Sequence, residues 1–132
     1  LLENNNQQFI CKNVFLRADN NASRINATVP IGHALKIPIA HGEGRYYADD
    51  ATLKQLIANN QVIFSYCDDH GNATDTANPN GSMHNIAGVC NAGRNVFGMM
   101  PHPERASEEI LGNTDGRMIF ESFLALTATS AR

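Results

Sequence analysis

The chain lacks any uninterrupted apolar stretch approaching the roughly 18 residues of a membrane-spanning helix, so a transmembrane protein is not expected. It also lacks a basic excess: ten lysines and arginines stand against thirteen acids, a net charge of −3. A nucleic-acid binder normally presents a basic face, and that class is set aside. Leu1-Leu2-Glu3 and the Asn/Gln run behind it have no basic lead and no long apolar core, so they do not form a signal peptide. Cysteine is scarce. Cys11, Cys67 and Cys90 are odd in number, far apart and without a C-x-x-C pair, which excludes a disulfide framework and a zinc knuckle. The Asn-x-Ser/Thr triplets at Asn21, Asn26, Asn72 and Asn80 are expected by chance in a chain with sixteen asparagines. The expected compartment is the cytoplasm.

What is there suffices for one ordinary domain. With 132 residues, 42% of them hydrophobic and 17% charged, the chain can bury a core. It shows no repeat, low-complexity linker or charge block, and hence no internal boundary. Ten glycines, five prolines and the many asparagines call for frequent turns, against a helical bundle or coiled coil. Apolar runs predict strands over 9–17, 35–40, 61–67, 86–90 and 96–100, with a weaker run over 27–31 that Pro30 interrupts. The run at 61–67 is β-branched and aromatic, the strongest of them. Pro38 confines its strand to an edge or ends it, because proline has no N–H for a ladder. Asn91-Ala-Gly-Arg-Asn95 reads as a hairpin turn. A helix capped by Asp50 is predicted through about Asn59, with Leu53, Leu56 and Ile57 on one face. A closing helix capped by Thr114 or Asp115 is predicted to bury a stripe of Ile119, Phe120, Phe123 and Leu124, and a short helical turn fits after Arg105. The pattern is α/β in flavour without a regular β-α-β-α opening, and Leu1-Leu2 start with neither a cap nor a leading strand, as a chain entered mid-domain would.

Three segments carry chemistry. Pro101-His102-Pro103-Glu104-Arg105 follows the apolar run at 96–100. A residue before proline is pushed out of the α region, so His102 and Glu104 are expected to be extended and, two apart, to face the same side. The carboxylate then orients the imidazole and stabilises its protonated form, as the third member of a nucleophile–base–acid triad does. The alternative is a His and a Glu on an idle surface turn. His41-Gly42-Glu43-Gly44-Arg45 leaves a strand, and its glycines permit either close backbone approach to a ligand or a plain turn. Asn78-Pro79-Asn80-Gly81-Ser82 is a turn signal, with a plain loop as its alternative. For a nucleophile, Gly88-Val-Cys90-Asn-Ala-Gly93 imitates a glycine-flanked elbow. An elbow is a strand-to-helix turn, however, and an apolar strand follows here. Cys90 is therefore rejected, and Cys67 and Cys11 are expected to be small buried hydrophobes.

Lys36-Ile-Pro-Ile-Ala-His-Gly-Glu-Gly-Arg-Tyr46, Asn78-Pro-Asn-Gly-Ser82, Gly98-Met-Met-Pro-His-Pro-Glu-Arg-Ala106 and Asp115-Gly-Arg-Met-Ile-Phe-Glu-Ser122 together resemble one family, over residues 1 to about 126. It is the glutaminase (class I glutamine amidotransferase) subunit of phosphoribosylformylglycinamidine synthase, in purine biosynthesis. Other amidotransferases share the H-P-E element but not H-G-E-G. The resemblance implies an α/β, flavodoxin-like fold with antiparallel additions, of which residues 1–132 would form the C-terminal part. It implies His102 as triad base and Glu104 as its orienting acid, and it makes His41 and Gly42 candidates for gripping the amino-acid end of L-glutamine. The family's cysteine stands on a G-x-C-N-G elbow, and no elbow precedes Cys11. The N-terminal part of the domain, with nucleophile, first parallel strands and oxyanion hole, is thus expected to lie outside this chain. Such a piece should expose strand edges and half a core, and be marginal or associate. The implied partners are that N-terminal part, a synthetase subunit that uses ATP and magnesium to aminate formylglycinamide ribonucleotide, and a small accessory subunit. No metal or organic cofactor is implied for the glutaminase itself. The H-G-E-G-R-Y and D-G-x-x-I-F-E-S details lean toward a separate subunit rather than the tail of a long synthetase.

Two other classes compete. His41-x-Glu43 and His102-x-Glu104 would converge as a metal-hydrolase site, with His33, His70 or His84 as further ligands. Alternatively, the piece is a non-catalytic interaction module whose triad residues are relics.

Overall fold

The computed structural model describes residues 1–129. Its elements run in the order β1 (Leu2–Glu3), β2 (Ile10–Ala18), β3 (Leu35–His41), β4 (Glu43–Arg45), α1 (Asp50–Ala58), β5 (Val62–Cys67), β6 (Ile86–Cys90), β7 (Phe97–Met99) and α2 (Arg117–Thr129). Short 3-10 turns occupy Asp75–Ala77, Met83–Asn85, Pro103–Ala106 and Glu109–Leu111. Five strands form one sheet in the order β3-β2-β5-β6-β7, and every neighbouring pair is antiparallel. β1 and β4 pair separately as a two-stranded ribbon. The antiparallel additions are therefore what the described residues hold, and parallel pairing among them is limited to a bridge between Ala18 and Ile31.

Side-chain parity sets the register. On β2, Val14, Leu16 and Ala18 face the core, with Val14 opposite Ile37 and Leu16 opposite Leu35 on β3. A slip of one residue would drive Asn13 and Arg17 inward. β5 lies at the centre of the sheet, and its continuous apolar run is matched by full burial of Ile63, Phe64 and Tyr66. Each such side chain contributes about 1.5–3 kcal/mol by leaving water. β3 is the edge that Pro38 demands, and its outer side is closed by two side chains and one backbone N–H. The Lys36 N–H donates to the Asp115 carboxylate at 2.8 Å, the Lys36 carbonyl accepts from the Asn113 side-chain amide, and the Pro38 carbonyl accepts from the His102 N–H at 2.9 Å. The hairpin turn at 91–95 is present, with the Asn91 N–H donating to the Val96 carbonyl at 2.9 Å.

Several expectations need correction. The cap of α1 is Asp49, one residue earlier than expected, because its carboxylate accepts from the Thr52 N–H at 3.0 Å. α2 begins at Arg117, since Asp115 is committed to β3. It docks through a narrow line: Ile119 and Ser122 are fully buried, with the Ser122 hydroxyl 2.7 Å from that of Thr28. Phe120, Phe123 and Leu124 of the expected stripe are exposed instead. The run at 27–31 is no strand. Successive turns closed by the Asn26 and Val29 amides carry it past Pro30, and Val29 plugs the core from them. Cys11 is exposed, because its odd position puts it on the outer face of β2 with Asn13.

Cys67 and Cys90 are buried, and burial pushes the Cys67 thiol up to about 11. Alkylation of the native chain with iodoacetamide near neutral pH should therefore modify one thiol quickly, at Cys11. Rapid labelling of a second thiol would contradict this packing.

Candidate active site

β7 ends at Met99, and the chain turns at Pro101 onto the open side of β3, where the His102 N–H bonds to Pro38. Pro103 then starts a 3-10 turn, its fixed φ suiting the first helical position. Glu104 sits inside that turn rather than on extended backbone, which corrects the expected conformation while keeping the expected pairing. His102 Nδ1 lies 3.0 Å from Glu104 Oε1. A carboxylate only accepts, so the shared proton belongs to Nδ1 and Nε2 is left as the basic nitrogen for a reacting group. His102 is half-buried and Glu104 more exposed. The pair is held by backbone on two sides, with the His102 carbonyl accepting from the Arg105 N–H at 3.1 Å and the Ser107 hydroxyl donating to the Glu104 carbonyl at 2.9 Å.

His41 ends β3 on its core face, continuing the parity of Leu35, Ile37 and Ile39. Only 5% of it is exposed, yet neither Nδ1 nor Nε2 has a hydrogen-bond partner. A buried polar atom left so costs about 1–3 kcal/mol, which marks this corner as one that a further polar group completes. Gly44 is what admits the ring: a Cβ there would collide with His41 Cε1 and Nδ1 and stand 2.6 Å from Met100 Sδ. Burial, and then the charge of His102, hold the His41 imidazole below the usual histidine value of 6.5. His41 and His102 thus share one neighbourhood, in which burial disfavours protonation of His41.

This shift has a direction in stability. The unfolded chain binds a proton at His41 that the folded chain resists, so the contribution is present above the ordinary histidine value and is lost as pH falls through the lower folded one. Stability should fall as pH drops below the ordinary histidine value, and His41→Gln should remove that component. Urea midpoints that follow the same pH profile in both proteins would contradict it.

Gly42 is half-buried, and a Cβ built on it meets nothing within 4 Å, so its backbone is approachable from outside. The metal-hydrolase alternative gains nothing: among the described residues no three His, Cys, Asp or Glu side chains group as a metal site. His70 pairs instead with its neighbour Asp69 at 3.6 Å. Sequence reasoning missed Asn4, and it had Asn80 only within a turn signal and Gly116 only within a block, without the roles the structure gives them. The buried amides of Asn4 and Asn80 hold the two ends of H-G-E-G, and Gly116 seats the turn carrying Glu104. None of the cysteines opens a helix: Cys11 lies within β2, and Cys67 and Cys90 end β5 and β6 before turns.

An imidazole with one nitrogen held by a carboxylate and the other turned away from it, after a strand end and beside a glycine-rich corner, has the chemistry to serve as a base with its orienting acid. The chain belongs to the CobB/CobQ-like glutamine amidotransferase domain family, which matches residues 1–120. Its fold is that of class I glutamine amidotransferases. It is 52% identical over 124 residues to phosphoribosylformylglycinamidine synthase subunit PurQ of Methanocaldococcus jannaschii, covering 94% of this chain and 54% of that protein. The subunit of the same name from Aquifex aeolicus is 51% identical over 125 residues, covering 95% and 55%. A chain in the structure of PurLQS from Thermotoga maritima superposes with a TM-score of 0.77 at 41% identity, over 96% of this chain and 52% of that one. The chain thus spans about half the length of the relatives it matches.

Proposed function

We propose that this chain carries the base-and-acid half of the glutaminase site of phosphoribosylformylglycinamidine synthase, in purine biosynthesis. The observation that carries it is the 3.0 Å contact of His102 Nδ1 with Glu104, on a chain half identical to named subunits of that enzyme. In the complete site His102 Nε2 takes the proton of a cysteine thiol from the other half of the domain, and the resulting thiolate attacks the side-chain amide of L-glutamine. His102 Nε2 donates a proton to the departing ammonia, leaving a glutamyl thioester; it then takes a proton from water, whose oxygen releases glutamate. Glu104 holds the ring and steadies its cationic form throughout. His41 and Gly42 form the corner for the amino-acid end of glutamine. The ammonia goes to a synthetase subunit, which brings ATP and magnesium, and a small accessory subunit completes the assembly in the cytoplasm. The glutaminase half needs no metal or organic cofactor of its own.

The test uses a full-length glutaminase in which this chain replaces the matched segment of the Methanocaldococcus jannaschii relative. Glutamine hydrolysis should be abolished by iodoacetamide and indifferent to EDTA. Loss on chelation would favour a metal hydrolase, and unchanged turnover after thiol blocking would overturn the proposal. Because Gly42 has room for a methyl group, Gly42→Ala should keep the fold while raising the KM for glutamine by about tenfold. An unchanged KM would remove this corner from the substrate site.

A further inference from the structure

The corner at 41–46 is fixed from two distant parts of the chain. Asn4, 1% exposed, donates its side-chain amide to the His41 carbonyl at 2.8 Å, and its own N–H donates to the Gly42 carbonyl at 2.8 Å. Asn80, 2% exposed, donates its side-chain amide to the Gly44 carbonyl at 3.0 Å. The two asparagines are joined, since the Asn5 N–H donates to the Asn80 carbonyl at 3.0 Å. Ser82 extends the grip: its hydroxyl accepts the Tyr46 N–H at 3.0 Å and donates to Asn80 Oδ1 at 2.8 Å. Asn80 Oδ1 also accepts the Ser82 N–H, and Asn78 Oδ1 accepts the Gly81 N–H at 2.9 Å, so the loop is internally locked. A surface turn has no need of buried amides; water would serve its carbonyls as well.

We propose that Asn4 and Asn80 are positioning residues of the glutamine site, clamping the carbonyls of His41 and Gly44 at both ends of H-G-E-G. This assignment rests on the glutamine corner proposed above and gives the Asn78–Ser82 loop its role. The clamp sets where Gly44 stands, and the missing side chain of Gly44 leaves the space that the His41 ring and Met100 Sδ border. Neither asparagine touches substrate; each acts through the backbone it holds.

Asn80→Asp is the discriminating change. It keeps the Oδ1 acceptor for Ser82 and removes the donor to Gly44, leaving two oxygens opposed. In the full-length chimera, Asn80→Asp and Asn4→Asp should each raise the KM for glutamine about five- to tenfold, with kcat falling less than threefold. A merely structural role would lower kcat through the active fraction and leave KM alone. If Asn80→Asp does not fold, Ser82→Ala, which removes the acceptor of the Tyr46 N–H, should raise KM in the same direction. Unchanged KM in these variants, with KM raised by Gly42→Ala, overturns the clamp alone. Unchanged KM in all of them, Gly42→Ala included, overturns the corner and the clamp together.

Discussion

His102→Ala in the full-length chimera lowers glutamine hydrolysis by about a thousandfold or more, with little change in KM. The expectation follows from chemistry that no neighbour can replace. In the proposed mechanism His102 Nε2 both protonates ammonia and activates water, while His41, the other imidazole of the neighbourhood, is buried and burial disfavours its protonation. Glu104→Gln should cost less, about a hundredfold. The carboxylate is more than half exposed, so water partly supports the imidazolium, but Gln presents its amide or its carbonyl with equal ease and no longer fixes the tautomer. Stopped-time assays of glutamate release check both. Turnover by His102→Ala within tenfold of the parent would show the pair to be a relic.

Gly116→Ala has the second large effect, on fold and site together. The Gly116 N–H donates to the Ala106 carbonyl at 2.7 Å. A Cβ at this position would overlap the Pro103 carbonyl and stand 2.9 Å from the Ala106 oxygen. These are backbone atoms of the turn that presents Glu104, so no rotamer relieves the clash, and either the turn or the start of α2 must move. Overpacking of this sort costs about 1–3 kcal/mol, and thermal unfolding of the chain should shift down by about 5–10 °C. The displaced turn should also separate Glu104 from His102 and lower glutamine hydrolysis beyond the loss of folded protein. A melting temperature unchanged within about 1 °C would mean that the turn is not seated on Gly116.

The parts legible in the sequence were those set by local pattern. Apolar runs located β2, β3, β5, β6 and β7, and the strongest run, at 61–67, became the central strand. Pro38 limited β3 to an edge, whereas which strands pair and which face of β2 is buried were not legible. His102 and Glu104 were legible as a pair for a partly mistaken reason: the expected extended backbone is a 3-10 turn that Pro103 initiates, and it too brings the side chains together. His41 was legible only as a member of a glycine turn. Its burial follows from parity with Leu35, Ile37 and Ile39, a signal that was present and not used. The docking face of α2 was not legible, because which side of an apolar helix is covered depends on the neighbour it finds. Here Thr28 meets Ser122, and the phenylalanines stay outside. The clamp was the least legible of all. Asn4 and Asn80 reach H-G-E-G across 37 and 36 residues of sequence; the turn signal marked the loop of Asn80 without its target, and no local rule separates Asn4 from the other asparagines.

One assay bears most directly on the claim that this chain supplies imidazole and carboxylate to a sulfur nucleophile held elsewhere. The chain is mixed with the separately expressed remaining segment of the Methanocaldococcus jannaschii relative, and glutamate release from glutamine is followed. Hydrolysis should arise in the mixture, be absent from either piece alone, and vanish when the chain carries His102→Ala. Glutamine hydrolysis by residues 1–132 unaided, or equal rates from mixtures with and without His102, would contradict it.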